Sequence, residues 1–77
     1  MAKLPQISGK TAIKIFCKIG YCVTRQKGSH IRLRDELNKN HLPLTVPNHR
    51  EIKPGLLRKL IKDANLTVKE FNEILYK

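Results

Sequence analysis

The run His30-Ile31-Arg32-Leu33-Arg34 restricts this chain more than any other segment. Side chains along a β-strand point to opposite faces with a period of two. Ile31 and Leu33 therefore share one face, and His30, Arg32 and Arg34 share the other. An apolar face must be covered, whereas a face of one histidine and two arginines belongs in water. The segment predicts a sheet packed on one side and open on the other.

The cover reads as helices. Ser8 is a good N-cap for a helix from about Gly9 to Ile19. Ala12, Ile13, Phe16, Cys17 and Ile19 recur at helical spacing as its buried face, and Lys10, Lys14 and Lys18 lie four apart on another. Gly20 supplies the stop. Tyr21 to Gln26, rich in aromatic and β-branched residues, is a first strand. Lys27-Gly28-Ser29 is a turn, and His30 to Arg34 is the second strand. The polar segment Asp35 to His41 is a loop, with His41 expected in solvent. Leu42 to Val46 is a third strand, and Pro43, which cannot donate to a ladder, puts it at an edge.

Pro47 to Lys53 connects to a helix that opens on Pro54 and runs to about Ala64. Leu57, Leu60 and Ile61 form its buried face, and Asn65 is a left-handed stop. Thr67-Val68-Lys69-Glu70 is a capping box, with Leu66 and Phe71 placed for a hydrophobic staple. Phe71, Ile74 and Leu75 then line a short last helix. The order helix, three strands, helix, helix predicts a single α+β domain over 1–77: a three-stranded antiparallel sheet with helices on one face.

A chain of 77 residues buries only about 60% of the surface its unfolded form exposes. A site on it should be a shallow surface groove. Sixteen Lys and Arg oppose six Asp and Glu, giving a formal net charge of +10. The cations are spread along the chain, which predicts a folded basic surface that attracts a polyanion. No apolar run is long enough to span a membrane, and the N-terminus lacks the apolar stretch of a secretory signal. A cytoplasmic protein is expected. Cys17 and Cys22 sit among apolar neighbours and read as small core residues. With His30, His41 and His49 they are the potential metal ligands, but their spacing matches no common site, so neither metal nor other cofactor is expected.

Arg25-Gln26-Lys27-Gly28-Ser29-His30 is the segment best suited to chemistry. Arg25 and Lys27 can neutralise phosphate, Gly28 lets backbone pass close to a ligand, and Ser29 can bond a phosphate oxygen. An imidazole can exchange a proton near neutral pH. RNA carries its own nucleophile, the 2′-hydroxyl. A protein that cuts it needs only a proton carrier and cationic charge at the phosphate. Arg32 on the histidine's face adds to that charge. Lys10, and Lys53 beside a helix start with no capping side chain, are further phosphate candidates. His49 either packs near the second helix or assists RNA contact, the first being favoured because no partner for its ring is placed.

Several motifs together resemble the HicA family of small mRNA interferase toxins. They are Leu4-Pro5, Ser8-Gly9-Lys10, Gly20-Tyr21, Gln26-Lys27-Gly28-Ser29-His30, Val46-Pro47 with His49, Gly55 and Phe71. The resemblance implies a fold similar to a double-stranded-RNA-binding domain. It implies metal-independent endonucleolytic cleavage of mRNA with His30 as the catalytic residue. It also implies a HicB-type antitoxin partner that covers the site. Thr11 stands where the family commonly has an acidic residue, and Leu56 where it often has threonine. A non-catalytic RNA-binding module is the rival reading, needing the basic face but not His30. A DNA-binding regulator is disfavoured because no helix-turn-helix pattern is present.

Overall fold

The computed structural model describes residues 2–77. Helix α1 (Gly9–Lys18) is followed by β1 (Cys22–Lys27), β2 (His30–Arg34), β3 (Leu44–Pro47), α2 (Pro54–Asp63) and α3 (Val68–Leu75). The strands form one antiparallel sheet in the order β1-β2-β3. The expected α+β arrangement, consistent with a double-stranded-RNA-binding-domain-like layering, is the observed one.

Alternation along β2 sets the layers. Ile31 and Leu33 are buried while His30 and Arg34 are exposed. Leu44 and Val46 of β3 join the buried pair, and Ala12, Ile15, Phe16, Leu57, Leu60, Ile61 and Phe71 of the helices complete the core with Tyr21 and Ile52. Each large aliphatic or aromatic side chain withdrawn from water stabilises the fold by about 1.5–3 kcal/mol. The helices cover β2 and β3, whereas every residue of β1 is exposed.

The caps follow from the sequence. The Ser8 side chain accepts from the Thr11 backbone at 3.1 Å. Its hydroxyl also donates to the Thr11 hydroxyl at 3.1 Å, so threonine takes up part of the place an acidic residue would fill. Thr67 and Glu70 make both bonds of the capping box, at 3.1 and 2.8 Å. Asn65 adopts φ +59°, the left-handed stop expected of it.

Four local expectations are corrected. Ile15, not Cys17, completes the buried face of α1, and Cys17 is exposed. Cys17 lies about 100° around the helix from Phe16, which turns it off the core stripe. Cys22 is exposed too, because it pairs with Arg34 in the sheet and shares the open face. The third strand begins at Leu44, since the Leu42 backbone N–H is bonded to the Asp63 carbonyl at the end of α2 instead of to a strand. His41 is not solvated: it stacks on Tyr21 with ring centroids 5.0 Å apart, and its Nδ1 donates to Asp35 Oδ2 at 2.9 Å.

Gly9 fixes how α1 meets the sheet. A Cβ at Gly9 would lie well inside contact distance of the Pro47 carbonyl oxygen, and 3.1 Å from the Asn48 Cα. This close approach lets the Gly9 N–H donate to the His49 carbonyl at 2.9 Å. The Ile52 N–H donates to the Ile7 carbonyl at the same distance. The starts of α1 and α2 are thus tied to one connector, which the Asn48 N–H joins to the Ser29 carbonyl at 2.6 Å.

Candidate functional site

The open face of the sheet is built in rungs. Lys27 lies opposite His30, which lies opposite Pro47. Arg25 lies opposite Arg32, which lies opposite Thr45. Cys22 lies opposite Arg34. Residues directly opposite in an antiparallel pair share a face, so the cations of two strands are brought to one side.

That convergence needs an irregularity in β1. In an uninterrupted strand Cys22, Thr24 and Gln26 would share one face, and Val23, Arg25 and Lys27 the other. The register shifts between Val23 and Arg25, so that Cys22, Arg25 and Lys27 face the same way. Thr24 is the extra residue of this bulge. Its hydroxyl donates to the Arg32 carbonyl at 3.4 Å. Without the bulge, Arg25 and Lys27 would point to the helix side of the sheet.

A turn of only Gly28 and Ser29 joins Lys27 to His30. Gly28 has φ +60°, the sign required at the first central position of a II′ hairpin. A Cβ there would meet nothing within 4 Å. Within the protein itself, backbone conformation and not close packing is therefore what this glycine serves.

An open groove of about 560 Å³ lies on this face, lined by Thr24, Arg25, Lys27, His30, Arg32, Arg34 and Thr45. Four of the residues singled out in the sequence, Arg25, Lys27, His30 and Arg32, meet here. Among the described residues no carboxylate side chain lines the groove. Arg32 Nη1 donates to Thr45 Oγ1 at 2.9 Å, which holds one guanidinium across the strands. Among the described residues no side chain hydrogen bond engages the His30 ring, which is open to solvent. Ser29 is exposed in the adjoining turn. Lys10 and Lys53 are exposed at the starts of α1 and α2, outside the groove lining. Lys53 is the N-cap of α2 and makes no side-chain cap bond, as its sequence implies. The His49 side chain is exposed and does not pack as expected; only its backbone carbonyl, which accepts from Gly9, takes part in the fold.

Arg34 completes the basic row, and the alternation of β2 already placed it there. The two threonines were not legible as site residues. Thr24 matters through a bulge, and Thr45 through a cross-strand partner that only register reveals.

A second cluster lies past the end of β2. Asp35 Oδ1 accepts from the Leu37 and Asn38 backbones at 3.1 and 3.2 Å, while Oδ2 takes the His41 bond. The hydrogen bond from His41, with those from the backbone, holds the Asp35 carboxyl below its ordinary value against an opposing cost of burial. Gly20, at φ +117°, leaves room here: a Cβ would come within 2.5 Å of Asp35 Oδ2. The Tyr21 hydroxyl donates to the Leu42 carbonyl at 2.7 Å. Burial, then the charges of Asp35 and Asp63, push that phenol up to about 12. These contacts close the 35–42 loop. Among the described residues no group of three or more His, Cys, Asp or Glu side chains is gathered in a metal-binding arrangement, and no helix is long and apolar enough to cross a membrane.

Comparison with known proteins agrees with the motifs. Residues 9–66 match the family described as HicA toxin of bacterial toxin-antitoxin. No curated protein and no solved structure gives a match. The matched span runs from the start of α1 to just beyond α2, and so includes the whole sheet and its basic groove. With most of its length within that family's pattern, the chain belongs to the HicA toxin family of bacterial toxin–antitoxin systems.

Proposed function

We propose that this toxin is a metal-independent endoribonuclease that cleaves mRNA in the cytoplasm, with His30 as its general acid and base. The observation that carries the reading is the placement of His30 in a groove with Arg25, Lys27, Arg32 and Arg34 and with no carboxylate. The 2′-hydroxyl oxygen attacks the adjacent phosphorus, and its proton passes to the His30 imidazole. The bond from phosphorus to the 5′-oxygen breaks, and the imidazolium returns a proton to that oxygen. The products are a 2′,3′-cyclic phosphate and a 5′-hydroxyl. Lys27, directly opposite His30, and the Arg25–Arg32 rung meet the negative charge that builds on the phosphoryl oxygens. Ser29 adds a hydroxyl beside the histidine, and Lys10 and Lys53 supply phosphate contacts outside the groove. A HicB-type antitoxin with an acidic surface covers the groove and silences it, its association speeded by opposite charge.

The test uses purified toxin, EDTA and two versions of one RNA. The first is all-ribose; the second has 2′-deoxyribose immediately before the cut found in the first. Cleavage of the first to cyclic phosphate ends, with the second spared at that position, is expected. Loss of cleavage in EDTA with recovery on adding a divalent metal would overturn the mechanism. Tight RNA binding with no cleavage by well-folded protein would favour a non-catalytic RNA-binding module.

A further inference from the structure

The basic row has a direction and an end. His30, Arg32 and Arg34 occupy successive outward positions on β2, about 6–7 Å apart along the strand. Phosphates along an extended RNA strand recur at a similar interval. Arg32 is flanked by Arg25 on β1 and held by Thr45 on β3. Arg34 is flanked by Cys22, so it is the only cation of its rung. The strand ends at Arg34, and the Asp35 carboxylate that follows is bonded to His41 and to the Leu37 and Asn38 backbones, so the row ends with β2. At the opposite end the sheet stops at the Gly28–Ser29 turn.

We propose that the groove holds RNA as a single extended strand lying along β2. One phosphate sits at His30 and the next two, to one side only, at Arg32 and Arg34. This deepens the reading of the toxin as a ribonuclease and rests on it for the identity of the phosphate at His30. Three observations favour one strand over a duplex. The outward cations are gathered in three rungs, whereas a duplex reader of this fold size spreads contacts over about 16 base pairs. Arg32 and Arg34 form a row with His30 along β2, and Arg25 and Lys27 stand beside that row on β1. The row also stops at both ends of β2, at the Gly28–Ser29 turn and after Arg34. Among the described residues no Phe, Tyr or Trp lines the groove, and Phe16, Tyr21 and Phe71 are buried. A broad stacking platform is therefore absent from this face, and binding is led by phosphate and tolerant of base identity.

The experiment measures binding without cleavage. Fully 2′-O-methylated oligouridines of increasing length, which lack the nucleophile, are titrated into wild-type toxin. Affinity should rise steeply until three phosphates are engaged, and beyond that only by the smaller increments that Lys10 and Lys53 add outside the groove. Arg34→Gln should weaken binding several-fold, remove the last steep increment and reduce the salt slope by about 0.7. Arg34→Lys should retain most of the affinity, and Lys69→Gln, which removes a charge from exposed α3, should change little. Oligoadenosine should bind much like oligouridine. The proposal is overturned if duplex RNA of the same length binds more tightly, if affinity climbs as steeply beyond three phosphates as before, or if Arg34→Gln and Lys69→Gln behave alike. Absence of nuclease activity would sink the catalytic reading and leave these binding results standing; a normal nuclease with no Arg34 effect would do the reverse.

Discussion

Arg25 and Arg32 stand directly opposite each other across β1 and β2, and no acidic side chain pairs with either among the described residues. Like charges facing across a strand pair cost about 0.2–1 kcal/mol. The fold carries that cost because a bulge at Thr24 turns Arg25 outward. Arg25→Gln should therefore raise stability by an amount within that range at low salt, and by less at high salt, where exposed charges are screened. The same substitution should weaken RNA binding. Urea midpoints at two salt concentrations, with RNA titrations beside them, measure both. A drop in stability would show that Arg25 supports the sheet and is not merely presented by it.

Gly9→Ala should be strongly destabilising. The Ala methyl would press on the Pro47 carbonyl and Asn48 backbone, neither of which can swing aside like a flexible side chain. Overpacking of this kind costs about 1–3 kcal/mol, occasionally more. Because the connector also ties Ser29 to Asn48, the change should disturb the end of the sheet that carries His30. The measurement is chemical denaturation, and a variant as stable as wild type would mean that α1 can shift without penalty.

Much of this arrangement was legible because it depends on local pattern. Ile31 and Leu33 announce the inner face of the sheet, Thr67 and Glu70 the last helix, and Asn65 the end of the one before it. What escaped the sequence depends on register or on distant partners. A bulge moves one residue without altering the look of a strand, so the outward turn of Arg25 and Lys27 could not be derived from alternation. Cys17 and Cys22 look apolar by their neighbours, yet the helix phase of one and the rung of the other expose them. His41 looked like a loop residue in water because its partners, Asp35 and Tyr21, are brought to it only by closure of the loop.

The Asp35–His41 bond gives the fold a predictable acid response. Asp35 titrates below its ordinary value, chiefly because its carboxylate accepts from His41. Its stabilising effect is therefore fully present above the unfolded carboxyl value of about 4 and is lost as pH falls through the lower folded value. Asp35→Asn should be less stable than wild type near neutrality, and the gap should narrow in acid below about pH 4 as the wild-type carboxyl takes up its proton. Thermal melting from pH 7 to pH 3 tests this. Melting curves that stay equally far apart throughout would refute the linkage.

His30→Ala should abolish cleavage while sparing the fold and most of the RNA affinity. His30 is exposed at the start of β2, and its neighbour Ile31 carries the packing, so truncation leaves no cavity in the core. Its backbone pairing with Lys27 and Pro47 does not depend on the side chain. Arg25, Lys27, Arg32 and Arg34 remain in the groove, so the charge that draws RNA is nearly intact. What is lost is the only imidazole in the groove, and general acid–base catalysis contributes about 10²–10⁴-fold in rate. Melting temperature and the affinity for 2′-O-methylated RNA should match wild type, while cleavage falls by that factor. Cells producing the wild-type toxin without an antitoxin should stop growing, and cells producing the variant should not. A variant that melts far lower would make His30 a structural residue, and one that cuts at the wild-type rate would remove it from the mechanism.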